Sequence, residues 1–170
     1  MSHPRREILT TFFTFDCMFS KQEASQLRQE FWTAFGLYMQ PLLSSDGERV
    51  NWINYKTGEK SVSFRMQAES RLAFIGIEMS HQDQGIQELY FEQFQELRPL
   101  LESQTGEVWI WNLHLQDEYG KTVSRIYNKI DHVSIYKKSD WPQLISFFKP
   151  RLIALDAFWN QVKYGFEALR

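Results

Sequence analysis

The chain has 170 residues and a mass of 20.4 kDa, which predicts one domain with a substantial core. Hydrophobic residues make up 43% of it and aromatic residues 16%, which excludes an intrinsically disordered protein. The net charge of −2 gives no global basic field for a phosphate backbone, and the single cysteine, Cys17, excludes an internal disulfide or a cysteine-rich metal site.

Residues 1–17 are interpreted as a peripheral extension, with Met18 as an alternative start and residues 18–170 as a single α+β domain. The apolar run of residues 8–15 follows two arginines, but Asp16 and Cys17 supply no convincing cleavage site for a secretory signal. No apolar stretch reaches the ~18 residues that cross a bilayer. We therefore expect a cytoplasmic protein with no membrane partner.

The first predicted element is a helix. Ser20 and Glu23 have the spacing of a capping box, and the apolar stripe that follows ends near Pro41. Three strand-like runs come next: Val50–Tyr55, Ser61–Gln67 and Leu72–Met79. Gly58 predicts a hairpin turn between the first two. The third run is apolar on both sides, which predicts a central strand covered on both faces, with Glu78 on the side of Leu72, Phe74 and Gly76.

Asp83 is a plausible cap for a second helix, which Pro99 should kink or restart. Two more strands are predicted at Val108–Leu115 and Thr122–Tyr127, joined by a turn at residues 117–120, and a short sixth strand at His132–Tyr136. Residues 139–142 predict the start of the last helical segment, which Pro150 should divide or bend.

These elements predict an α+β fold with a mixed or largely antiparallel sheet of five to six strands flanked by helices. The predicted order is α-β-β-β-α-β-β-(β)-α. Because three strands lie between the first two helices, a restriction-endonuclease-like topology is one interpretation.

Several sequence blocks together resemble a bacterial family, domain of unknown function 4268, over about residues 18–170. The blocks are residues 18–21, 50–52, 54–58, 85–89, 120–126, 140–142 and 148–151. The resemblance implies no established activity, ligand or catalytic residue. Related domains occur beside nuclease-like modules, which implies a setting in DNA processing or defence.

The nuclease alternative requires particular residues on the second and third strands. PD-(D/E)xK nucleases place an acid near the second strand and an acid-x-Lys on the third, so that carboxylates hold Mg²⁺ and a lysine orients water. Here Glu78 is followed by Met79 and Ser80, so the lysine is missing from the third strand. Lys60, at the start of the second strand, could take its role, with Glu59 or Glu69 as the further acid. We therefore expect no cofactor, except Mg²⁺ under this alternative.

Arg125 lies on the same side of its strand as Val123 and Tyr127, and a charge on an apolar face must be paired or lie at a rim. We predict that it meets an acid, with Glu78 as the candidate, either as a structural ion pair or as the floor of an anion site. His81, His114 and His132 are too scattered to predict a zinc site.

An aromatic and basic surface for stacking bases is a further hypothesis; the alternative is that its tryptophans belong to the core. Its candidates are Trp52, Tyr55, Lys56 and Arg65, together with Trp109 and Trp111. The stripe Leu152–Leu169 could form a homodimer or dock on its own sheet. The sequence thus favours a non-catalytic binding or interaction domain with a protein partner or a second copy. Nucleic acid stays open although the net charge does not favour it, and a divergent metal-dependent phosphodiesterase is the alternative.

Overall fold

A computed structural model describes residues 20–170, and the predicted extension at residues 1–17, with Cys17, lies outside them. Helices and strands follow one another in a simple order. The elements are α1 (Lys21–Met39), β1 (Val62–Ala68), β2 (Leu72–Met79), α2 (Gln84–Glu96), α3 (Arg98–Thr105), β3 (Ile110–Gln116), β4 (Thr122–Asp131) and α4 (Trp141–Val162), with 3₁₀ turns at Lys138–Asp140 and Lys163–Leu169.

The predicted helix starts are confirmed. Ser20 Oγ accepts the N–H of Glu23 at 3.2 Å while the Glu23 carboxylate accepts the N–H of Ser20 at 2.9 Å, which completes the capping box of α1. Asp83 caps α2 through the N–H of Ile86 at 3.0 Å. The helix that follows restarts at Arg98 with Pro99 in its first turn, where a missing N–H costs nothing.

The α+β class is confirmed, with one antiparallel four-stranded sheet in the order β1-β2-β4-β3. The prediction of five to six strands is wrong for residues 20–170, because neither Val50–Tyr55 nor His132–Tyr136 forms a strand. Two strands therefore separate α1 from α2 instead of three.

Local hydrogen bonds explain the first missing strand. Asn51 Oδ1 accepts the N–H groups of Ile53 and Asn54, both at 3.1 Å, which folds the backbone into a turn. The indole of Trp52 donates to the carbonyl of Leu42 at 3.0 Å and is buried. The apolar residues of this run thus belong to a loop that packs inward.

The second missing strand begins at His132, whose φ of 61° is in the left-handed region that extended backbone avoids. The N–H of His132 donates to the carbonyl of Arg71 at 2.8 Å, and that of Ile135 donates to the carbonyl of Glu69 at 3.1 Å. The segment is therefore tied to the turn between β1 and β2 and does not extend the sheet.

The core lies on one face of the sheet, called here the core face. Strands β1, β2 and β4 contribute alternate residues to it, such as Ile75 and Ile77 of β2 and Ile126 of β4, all with no exposed surface. β2 is central, as predicted, but within the described residues the core takes in only one of its faces. The other side, called the open face, carries Glu78 and Arg125.

The last helix, α4, runs from Trp141 to Val162 with Pro150 inside it. Of the two predicted effects of Pro150, a division or a bend, the division is therefore wrong. Its apolar stripe docks on the sheet, and Leu152, Leu155, Trp159, Val162 and Phe166 are all buried in the chain's own core. A homodimer through this stripe would require the core to open. Within residues 20–170, no helix is both long and apolar enough to cross a membrane.

Candidate functional site

Glu78 and Arg125 form an ion pair at the centre of the open face. They are direct partners across β2 and β4, and each is 8% exposed. Arg125 donates from Nε at 3.0 Å and from Nη2 at 2.6 Å to the same oxygen, Glu78 Oε2. The ion pair predicted from strand parity is therefore confirmed.

Two aromatic rings flank the Arg125 guanidinium. Its Cζ lies 4.3 Å from the ring centroid of Phe74 and 6.0 Å from that of Tyr127. The two rings meet edge to face at 5.9 Å. Asn112 on β3 donates to the Tyr127 hydroxyl at 3.2 Å, which fixes the phenol. The central strands thus present two rings and a planar cation side by side.

Gly76 makes this arrangement fit. It is the direct partner of Tyr127, and a Cβ at this position would lie 2.2 Å from the carbonyl oxygen of Ile126 and 2.6 Å from Cβ of Tyr127. The Tyr127 side chain therefore occupies space that any residue larger than glycine would need.

The other charges around the open face are also paired. Arg65, a sequence candidate, donates to Glu118 at 2.7 Å and to Gln67 at 3.4 Å. Lys129 lies 3.4 Å from Asp131. Because the three cations of this surface each have an acidic partner, the face carries no excess positive charge.

The acids that the nuclease alternative needs are not brought together. Glu78 binds Arg125, Glu69 binds Arg28 at 3.1 Å, and Glu59 binds Arg170. Across the described part of the chain, no three His, Cys, Asp or Glu side chains are grouped so that they could hold a metal ion.

The remaining sequence candidates do not form a common surface. Trp52 is 3% exposed and belongs to the core. Tyr55 stacks on Phe64 at 4.5 Å between ring centroids and donates to Asp156 at 2.6 Å; burial, together with that carboxylate, raises the pKa of the Tyr55 hydroxyl. Lys56 is exposed by itself.

A second group of polar residues lines a cleft of about 850 Å³ between the segment before β1 and the start of α2. In its wall, Tyr90 donates to Glu59 at 2.6 Å, and the ring of His81 lies 4.3 Å from that of Tyr90. Arg170 binds the other oxygen of Glu59, with Nε at 2.9 Å and Nη2 at 2.8 Å. Glu59 and His81 were singled out separately from the sequence, but the cleft that unites them was missed because its residues come from distant segments.

Burial changes the acid–base properties of this cleft. It tends to raise the pKa of Glu59, but hydrogen bonds from Arg170 and Tyr90 outweigh it, so that pKa is lowered. Burial and the Glu59 hydrogen bond raise the pKa of Tyr90 to about 12. Burial lowers the pKa of His81 despite the nearby Glu59 carboxylate. The cleft thus combines an ionised Glu59 with a neutral imidazole.

Comparison with known proteins gives one result. A family model described as Domain of unknown function (DUF4268) matches residues 27–163, which is most of the chain. The resemblance carried by the sequence blocks is confirmed. Neither the search of curated proteins nor that of solved structures found a match.

Proposed function

The chain belongs to the domain of unknown function 4268 family, whose description assigns no chemistry. We propose from the geometry that it is a non-catalytic domain that binds single-stranded nucleic acid on its open face. The observation that carries the proposal is the group of Phe74, Arg125 and Tyr127 on the two central strands. A setting in DNA processing, as the resemblance implies, suits such a ligand.

Stacking supplies the main attraction. Every base has an apolar π-face, and each base stacked on an aromatic side chain contributes about 1–3 kcal/mol. Tyr127 is half-buried, so its ring is partly available, while the Asn112 hydrogen bond holds it in place. Phe74 is 8% exposed and mainly supports Arg125. We therefore expect Tyr127 to be the principal stacking residue.

Side chains around this centre can contact base edges and the backbone. Gln67 on β1 and Asn112 on β3 are half-buried amides, each of which offers both donors and acceptors. Arg65, 39% exposed at its side chain, could exchange Glu118 for a phosphate. A four-stranded sheet with aromatic residues on its central strands is a surface that single-stranded RNA-binding modules also use.

The paired charges define how binding should depend on conditions. Because Arg65, Arg125 and Lys129 already have acidic partners, few counterions would be released on binding. We expect a shallow salt dependence and weaker binding of duplex DNA, whose bases are not available for stacking.

The test is the fluorescence anisotropy of a labelled oligothymidine of about ten nucleotides, within the usual site sizes of single-strand binders. Y127A should weaken binding by about 5- to 150-fold, since one stacked base is lost. Y127F should retain binding because it keeps the ring. The matched control is Y164A, at a tyrosine that is 68% exposed in the C-terminal 3₁₀ turn.

Three outcomes would overturn the proposal: no saturable binding, equal binding by Y127A and Y164A with folding intact by circular dichroism, or equal binding of duplex DNA with a steep salt dependence. The non-catalytic part is tested by incubating plasmid and single strands with Mg²⁺ or Mn²⁺. Cleavage that disappears in E78A would instead favour the phosphodiesterase alternative.

A further inference from the structure

We infer that the cleft between the segment before β1 and the start of α2 is a binding site for a small phosphomonoester with an apolar or planar body. The cleft, of about 850 Å³, is lined by Glu59, Lys60, His81, Asp83, Tyr90 and Lys121. None of these residues belongs to the nucleic-acid surface proposed above, so the two sites can be tested separately.

Two lysines give the cleft its positive charge. Lys60 and Lys121 are exposed, and neither makes an ion pair with any residue between 20 and 170. By contrast, the three basic side chains of the open face, Arg65, Arg125 and Lys129, each have an acidic partner. The free ammonium groups of Lys60 and Lys121 can each donate to a separate oxygen of a phosphate.

The acidic residues of the cleft are already engaged. Glu59 accepts from Tyr90 and from Arg170, which neutralises its charge locally. Asp83 caps α2 through the N–H of Ile86. The earlier N–H groups of a helix have no intrahelical acceptor and favour an anion. A phosphate would therefore lie near Gln84 and Gly85, beside the cap.

The aromatic wall offers contacts to the rest of the ligand. The rings of His81 and Tyr90 lie 4.3 Å apart, and Ile86 in the first turn of α2 is 43% exposed. The ring of His81 is half-buried in this wall and has a hydrogen bond with the backbone of Lys60, so it offers a fixed face to a planar ligand.

Backbone strain marks the same place. Ser61 at the cleft has a φ of 62°, a conformation in which a residue other than glycine is uncommon. Its carbonyl accepts the N–H of Ser80 at 2.8 Å, which ties the two walls together just before His81. Strained residues of this kind cluster at ligand sites, where the surrounding fold holds them.

A phosphate fits these donors better than the alternatives. A cation would meet two lysines, and Glu59 already binds Arg170. A carboxylate has two oxygens, whereas a phosphate has three that can contact Lys60, Lys121 and the start of α2 together. The charge of nearly −2 on a phosphomonoester near pH 7 also exceeds that of a carboxylate.

The experiment uses the full chain and three probes: phenyl phosphate, benzoate and inorganic phosphate, each titrated by ¹H–¹⁵N NMR. We expect phenyl phosphate to shift the amides of Gln84, Gly85 and Lys121 in a saturable way and to bind at least 10-fold more tightly than benzoate. Inorganic phosphate should shift the same amides but bind more weakly, because it lacks a body to contact Tyr90.

The double variant K60A/K121A should bind phenyl phosphate at least 10-fold more weakly than the wild type. The control K56A removes an exposed lysine outside the cleft and should bind it with the wild-type affinity. Both lysines are exposed, so the fold should be retained, and the unliganded spectrum verifies it. The inference is overturned by equal loss in K56A, by benzoate binding as tightly as phenyl phosphate, or by shifts that do not saturate or that map outside the cleft.

Discussion

For Glu78 and Arg125 the sequence predicts the side of the strand on which each residue lies, but it does not establish that they are partners. The period of two along a strand placed both on definite sides, and the apolar surroundings required a partner for each. The partnership itself depends on the register of β2 against β4, which are separated in the chain by α2, α3 and β3. Parity can be obtained from sequence, but that register is set by packing.

Breaking this ion pair should be costly. R125A leaves Glu78 buried without its partner and removes the cation over Phe74, so we expect the free energy of unfolding to fall by about 3–5 kcal/mol. Urea unfolding followed by tryptophan fluorescence measures the change. K129A serves as the control, because Lys129 and Asp131 form an exposed pair that is worth about 1 kcal/mol or less. Equal losses in the two variants would contradict the burial argument.

The cleft marks the limit of residue-level prediction. Glu59, His81 and Tyr90 belong to the segment before β1, the segment after β2 and the helix α2. None shows a motif spacing, since their proximity arises only when α2 packs against the sheet. The one local signal is the Gly58 turn next to Glu59, with a φ of 79°, and a turn alone does not indicate a site.

At the scale of elements, the sequence predicts starts better than ends. The caps of α1 and α2 act through the first turn alone, so their residues can be recognised locally. The strand at Val50–Tyr55 was wrongly predicted because Asn51 redirects the backbone through two side-chain hydrogen bonds. A short run rich in apolar and aromatic residues does not by itself distinguish a packed loop from a strand.

The sequence predicts that Pro150 divides or bends the last helix, and α4 continues through it undivided because the residues on both sides are held in the core. Proline has no backbone N–H, so the helical hydrogen bond from residue 150 to the carbonyl of Ser146 cannot form. Pro150 is exposed, and P150A should therefore restore the bond without loss of packing.

For P150A we expect the free energy of unfolding to rise by about 2 kcal/mol. Removing proline from the helix interior gains about 3 kcal/mol, but the variant's unfolded chain is more flexible, which offsets part of that gain. Thermal unfolding should then shift upward by about 4–8 °C. P142A is the matched control, because Pro142 lies in the first turn of α4, where no donor is needed. A neutral or negative shift in P150A would show that the proline ring itself contributes to packing.

On the scale of the whole molecule, one core joins helices and sheet. Its residues come from α1, β1, β2, α2, α3, β4 and α4, so these elements should unfold together. Within residues 20–170, the same one-sided packing leaves the open face without a covering layer. An apolar pattern on both sides of β2 predicted two covering layers, whereas Phe74 and Glu78 are buried by neighbours within the sheet.

The cleft should make the stability of this single unit depend on pH. Burial lowers the pKa of His81 from its ordinary value of 6.5. The Glu59 carboxylate and a hydrogen bond with the Lys60 backbone partly oppose this shift, whereas the Lys60 ammonium adds to it. The unfolded state then binds a proton before the folded state does. Stability is therefore present above about pH 6.5 and is lost as the pH falls from there towards the folded pKa.

We expect the free energy of unfolding to decrease between pH 7.5 and 5.5, with the contribution of one group limited to about 1.4 kcal/mol per pH unit. H81F keeps a ring against Tyr90 but cannot be protonated, so its decrease should be smaller. H114N, which removes an imidazole outside the cleft while suiting the left-handed backbone at that position, is the control. The measurement is urea unfolding of the three proteins across this pH range. If the wild type and H81F lose the same free energy of unfolding, protonation of His81 does not contribute to the pH dependence, and the argument from its lowered pKa is wrong.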